Sequence, residues 1–149
     1  MTSSTKPGES SGDPGADGDP SAADLLAAEL TRLAEAYRRL PHSKFVLRLE
    51  PYGDRAQAGY WLASQLTRVA QGIEVWDNPR PPAWRELPTL GVFALGDQIA
   101  VVGNDLLSAY RALKDPRETL IWTPGAGRVP AEKAMAAVLE STTALRKAL

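Results

Sequence analysis

The apolar positions of this chain come in two rhythms. Leu26, Leu30, Leu33, Tyr37 and Leu40 follow one another at alternating steps of four and three, which lays them along one stripe of an α-helix. Ser21 stands ahead of the stripe as a cap, with Asp24 three residues on as a variant of the capping box, and Pro41 ends it. The next stretch, "KFVLRLE" at residues 44–50, alternates instead. Phe45, Leu47 and Leu49 fall on one side and Lys44, Val46, Arg48 and Glu50 on the other, which predicts a strand with one buried face. A second helix is predicted from Asp54 as N-cap to about Gln71, with Gly72 as its stop and Ala58, Leu62, Leu66 and Val69 as its inner stripe. "IEVW", residues 73–76, reads as a short strand. It leads into the proline-rich "DNPRPPAWRELP", where Pro79, Pro81, Pro82 and Pro88 prevent ladder pairing and stiffen an extended connector.

The stretch Val92 to Val102 reads as a two-stranded hairpin turning at Gly96-Asp97, with both faces almost wholly apolar. Such a hairpin has to be covered on both sides, so it is expected at the centre of the fold. Gly103-Asn104-Asp105 then reads as a turn opening a third helix, with Leu106, Tyr110 and Leu113 inward. "TLIW", residues 119–122, is a further strand. After the loop "TPGAGRVP" a fourth helix starts near Pro130 and presents Ala131, Met135, Val138, Leu139, Thr142 and Leu145 on one arc. The expected fold class is therefore α+β (or α/β): a single layered domain over residues 21–149, with a central apolar hairpin packed by about four helices.

Residues 1–20, "MTSSTKPGESSGDPGADGDP", hold no aromatic or aliphatic anchor beyond the initiator Met. A segment that buries so little cannot offset the entropy of being ordered, so a disordered acidic tail is expected there. The tail carries Lys6 against Glu9, Asp13, Asp17 and Asp19; with a net charge of −1 overall, this leaves the rest of the chain at +2. That balance gives no field strong enough to favour nucleic acid. No apolar run approaches the ~20 residues of a membrane-spanning helix and no basic-then-apolar leader opens the chain, so a cytoplasmic protein without membrane contact is expected. Arginine outnumbers lysine 12 to 5 and alanine is abundant, a bias associated with GC-rich bacterial genomes.

Chemistry is constrained as much by what is missing. The chain has no cysteine and one histidine, His42, which removes thiol nucleophiles, disulfides and Cys/His metal sites within one chain. No nucleophile elbow, zinc-protease helix, Ser-x-x-Lys or acidic metal cluster is present, so no catalytic, cofactor or metal residue is assigned and no enzyme is expected. Two kinds of candidate site remain. Tyr60, Trp61, Trp76, Arg80 and Trp84 are large or planar groups on a helix and a stiff loop, the residue types that dominate protein contacts; Trp76 and Trp84 can equally staple the loop to the core. Gly125, Gly127 and Arg128 form a small loop where an anion could sit, although the spacing matches no known phosphate loop. Arg38, Arg39, His42 and Lys44 make a small basic cluster that helix-end charge complementing already explains. The expected function is a non-enzymatic protein-protein interaction or accessory module, with a protein partner or a homo-oligomer. The alternative is a small-ligand or anion-binding regulatory domain using Gly125 to Arg128.

Overall fold

Each helical stripe is taken up by a helix. The computed structural model describes residues 21–125 and 127–149, so the expected tail at 1–20 lies outside the described residues, as does Ala126. The helices are α1 (Ala22–Arg39), α2 (Arg55–Glu74), α3 (Leu95–Arg111) and α4 (Ala131–Ala148). Two small antiparallel hairpins complete an α+β fold. Strands β1 (Arg48–Leu49) and β2 (Gly53–Asp54) link α1 to α2, while β3 (Leu120–Thr123) and β4 (Gly127–Pro130) link α3 to α4, with Ile121 opposite Val129.

The caps explain where α1 and α2 begin. Ser21 Oγ accepts from the Asp24 amide at 3.1 Å. Asp54 Oδ1 accepts from the Gln57 amide at 2.8 Å while Gln57 Oε1 accepts from the Asp54 amide at 3.0 Å, a complete capping box. Leu26, Leu30, Leu33 and Tyr37 of α1, Ala58, Leu62 and Leu66 of α2, and Ala131, Met135, Val138, Thr142 and Leu145 of α4 are all buried in one core. Leu40, Val69 and Leu139 reach its margin half-buried.

The residues expected to form the central hairpin are helical instead. Val92–Ala94 is a single 3-10 turn and Leu95–Arg111 is one continuous α-helix, so neither the turn at Gly96-Asp97 nor the helix start at Gly103-Asn104-Asp105 exists. Leu95, Ile99, Val102, Leu106 and Tyr110 are buried along it at helical spacing. Its glycines serve close packing. A Cβ at Gly96 would come 2.8 Å from the Ala34 carbonyl oxygen, and one at Gly103 would come 2.7 Å from Leu30 Cδ1, both on α1. Apolar residues surround so much of α3 because α1 and α2 both pack on it.

Three smaller expectations also fail. Residues 44–50 give only the two-residue β1, after a 3-10 turn at His42–Lys44; Phe45 is buried while Val46 and Leu47 are exposed. "IEVW" is the end of α2 and a turn. Gly72 does not stop α2 but lies buried within it, because β3 seats there: a Cβ would meet the Trp122 carbonyl oxygen at 2.1 Å.

Helix directions follow from cross-links. Asp24 pairs with Arg111 and Arg38 with Asp97, so α1 and α3 are antiparallel. Tyr37 donates a hydrogen bond of 2.6 Å to the Arg55 carbonyl, setting the start of α2 beside the end of α1. Hence α2 and α3 are parallel, and residues 75–91 return along the bundle as a strap. The Glu132 amide donates to the Pro116 carbonyl at the end of α3, so α4 runs with α1, with Arg146 in its last turns paired to Glu29. Around the bundle, α1 packs on α3 and α4, α2 packs closely on α3, and α2 meets α4 more sparsely. The two diagonals of the bundle pair α1 with α2 and α3 with α4.

Candidate functional site

The strap is held by the side chains of α2 and α3. Gln71, buried, grips it twice: Nε2 donates to the Ala83 carbonyl and Oε1 accepts from the Arg85 amide, both at 2.9 Å. Gln98 Nε2 donates to the Pro88 carbonyl at 2.9 Å, and the Tyr60 hydroxyl donates to the Leu90 carbonyl. From Gln71 back to Tyr60 the helix rises ~16 Å, within the ~22 Å that Ala83 to Leu90 can span as fully extended polyproline-like chain. The prolines therefore give the return its length and stiffness.

The five aromatic and arginine candidates do not converge. Tyr60 faces the strap, and burial pushes its phenol above the ordinary tyrosine range. Trp61 points to another side of α2, packed on Tyr52 at 5.0 Å between ring centroids. Trp84 lies half-buried between the two backbone groups that Gln71 grips, which suits an anchor. Trp76 and Arg80 are exposed where α2 ends, ~22 Å from Trp61 along the helix axis.

Of the Gly125–Arg128 stretch, Gly125 follows the end of β3, while Gly127 and Arg128 belong to β4, opposite Thr123 and Trp122. Gly125 and Gly127 take positive φ of 75° and 73°, the left-handed region that glycine enters without steric cost. The Arg128 guanidinium lies 4.3 Å from the Trp122 ring centroid and donates to the Asn78 carbonyl, so it ties the hairpin to the start of the strap. The loop's special residues are thus engaged in holding its own geometry.

A groove at the sparse seam was not read from the sequence. Between α2, α4 and the hairpin lies a cavity of about 330 Å³. Val69, Val129, Ala134, Ala137 and Val138 form its apolar wall and Trp61 lies at one end. Arg68 and Lys133 also line it. Because α4 runs antiparallel to α2, Lys133 in the first turn of α4 and Arg68, one turn before Gly72, both belong to the hairpin end. Among the described residues neither has a carboxylate within ion-pairing distance, whereas eight other arginines do. The signal in the sequence was Val69, an inner-stripe residue beside Arg68, but nothing local announces that a stripe will stop short of full burial.

A second exposed feature caps the bundle where α1 ends and α3 begins. Phe93 is 74% exposed and Val46 72% exposed, with Leu47 beside it. The His42 ring is tilted against Phe93 at 5.2 Å between centroids. The sequence pattern hides this patch because it puts Phe93 in a hairpin covered on both faces and Val46 among the polar residues on the open face of a strand.

Among the described residues no three His, Asp or Glu side chains gather as a metal site, and no helix is long and apolar enough to cross a membrane. Comparison of the chain with protein-family models, with curated proteins and with solved structures finds no match.

Proposed function

We propose that this chain is a non-enzymatic binding module for a small, largely apolar ligand, received in the groove between α2, α4 and the β3–β4 hairpin. The observation that carries the reading is the cavity itself: about 330 Å³, open to solvent and lined mainly by aliphatic side chains, with Trp61 in its wall. That volume is at the lower end of the ~300–1,000 Å³ of small-molecule sites, which are mainly apolar with a few convergent polar groups. The site is adjacent to the Gly125–Arg128 loop rather than in it. The test is a titration of isotopically labelled protein with decanol and with decanoate, below micelle-forming concentrations, followed by amide chemical shifts. Shifts should gather at Trp61, Val69, Val129, Ala137 and Val138, and Ala137→Trp, which fills the groove from an exposed position, should abolish them. Shifts scattered over the surface, or none, would overturn the reading.

A second reading, as a protein-protein interaction module, rests on Phe93 and Val46. Phe93 stands exposed against His42, and exposed apolar side chains of this kind mark contact surfaces, where phenylalanine is enriched. In its homo-oligomeric form it predicts concentration-dependent dimerisation by sedimentation velocity that Phe93→Ser removes at unchanged melting temperature. A wild-type chain monomeric throughout the concentration range sinks that form.

A further inference from the structure

Resting on the groove reading, we infer that the ligand is a single-chain amphipathic anion, its carboxylate between Arg68 and Lys133 and its apolar chain running along Val69, Ala137 and Val138 toward Trp61. Charge in the groove is confined to one end of its length, with Gln65, Thr123 and Ser141 as neutral polar lining. Both cations belong to its hairpin end, while the tryptophan, backed by Tyr52, stands about two turns away at the other. From Arg68 to Trp61 is ~10 Å of helix, the scale of a medium-chain acid rather than a compact anion. An apolar wall alone would receive a neutral chain as well. What selects the anion is that Arg68, half-buried, and Lys133 face the groove with no carboxylate partner among the described residues, in a chain whose arginines otherwise mostly have one. Unpaired charge beside apolar surface favours an incoming carboxylate, since charge-assisted hydrogen bonds are the stronger kind. A planar guanidinium can also hold both carboxylate oxygens at once, whereas the Lys133 ammonium acts as a point charge.

The experiment compares decanoate, decanol and decyltrimethylammonium by calorimetry on the full chain and on Arg68→Gln and Lys133→Gln, with melting temperatures measured to confirm folding. Decanoate should bind about tenfold more tightly than decanol, the worth of one charge-assisted contact, and the alkylammonium should bind most weakly. Each variant should lose most of the decanoate preference, read as the ratio of decanoate to decanol affinity in the same protein. If decanol matches decanoate, or the variants keep the preference, the assignment of an anion is overturned while the groove remains a binding site. If neither chain binds, both this inference and the groove reading fall.

Discussion

Replacing Gly72 with alanine sets two well-calibrated effects against each other. In an exposed helix interior the change stabilises by about 0.8–1.0 kcal/mol, because glycine gives up more backbone freedom on folding. Here the added Cβ would lie 2.1 Å from the Trp122 carbonyl oxygen, a backbone atom that cannot rotate away. Relief requires β3 to withdraw by more than an ångström, and Ile121, fully buried next to it, resists that movement. Overpacking of this kind costs about 1–3 kcal/mol. A contact this short with a backbone atom takes the upper part of that range, about 2–3 kcal/mol, so the steric effect wins and Gly72→Ala should be less stable than wild type by about 1–2 kcal/mol, or roughly 3–8 °C in melting temperature for a domain of this size. Urea and thermal unfolding followed by circular dichroism measure it. Two controls separate the causes. Gly91 has nothing within 4 Å of its would-be Cβ, so Gly91→Ala should be neutral or stabilising by up to about 1 kcal/mol. Gly103→Ala meets only the flexible tip of Leu30 and should stay within about 1 kcal/mol of wild type. A Gly72→Ala protein as stable as wild type would mean that the hairpin does not seat on α2, and the floor of the groove would go with it.

Gln71→Ala strips partners from the Ala83 carbonyl and the Arg85 amide; it should cost about 1–3 kcal/mol and, more diagnostically, speed tryptic cleavage after Arg85 under native conditions. Tyr37→Phe removes the 2.6 Å bond to the Arg55 carbonyl and should lower unfolding free energy by about 0.5–1.5 kcal/mol in urea, with no change in the helical spectrum. The Glu29 carboxyl is held below the usual glutamate range first by its hydrogen bond from Arg146, against an opposing effect of burial. A depressed carboxyl contributes its stability above the unfolded value of about 4.3 and loses it as pH falls through the lower folded value. Glu29→Gln should therefore be less stable than wild type at neutral pH and show a shallower loss of stability below that range; parallel acid profiles for the two proteins would contradict the pairing.

The helices with one buried stripe were legible, because a stripe at spacings of three and four carries its own evidence. Ser21 and Asp54 were legible as caps for the same local reason. α3 was not, although Leu95, Ile99, Val102, Leu106 and Tyr110 do follow helical steps. Exposed apolar residues, Val101 in the helix and Phe93 just before it, broke the stripe, and Gly96-Asp97 imitated a hairpin turn. Its glycines answer to the backbone and side chains of α1 lying against them, which no window of local sequence contains. The same limit hid the groove and the end patch. Val69, Arg68 and Lys133 meet only through packing between α2 and α4, and Phe93 meets His42 from fifty residues away.

The diagonal arrangement of the helices bears on how the chain acquires its structure. Apart from the reach of Tyr37 to the start of α2, the segment holding α1 and α2 has little helix packing of its own, and the segment holding α3 and α4 is in the same position. Nearly every helix contact joins one segment to the other. Neither half is therefore a folding unit, and the chain should fold in one cooperative transition with no stable half-formed species. The strap is the single covalent link between the halves. Cut there, the pieces should each be unstructured alone and recover the native helical signal only on mixing. Left intact but loosened, the strap would let two molecules trade halves, giving an exchanged dimer with the monomer's own contacts.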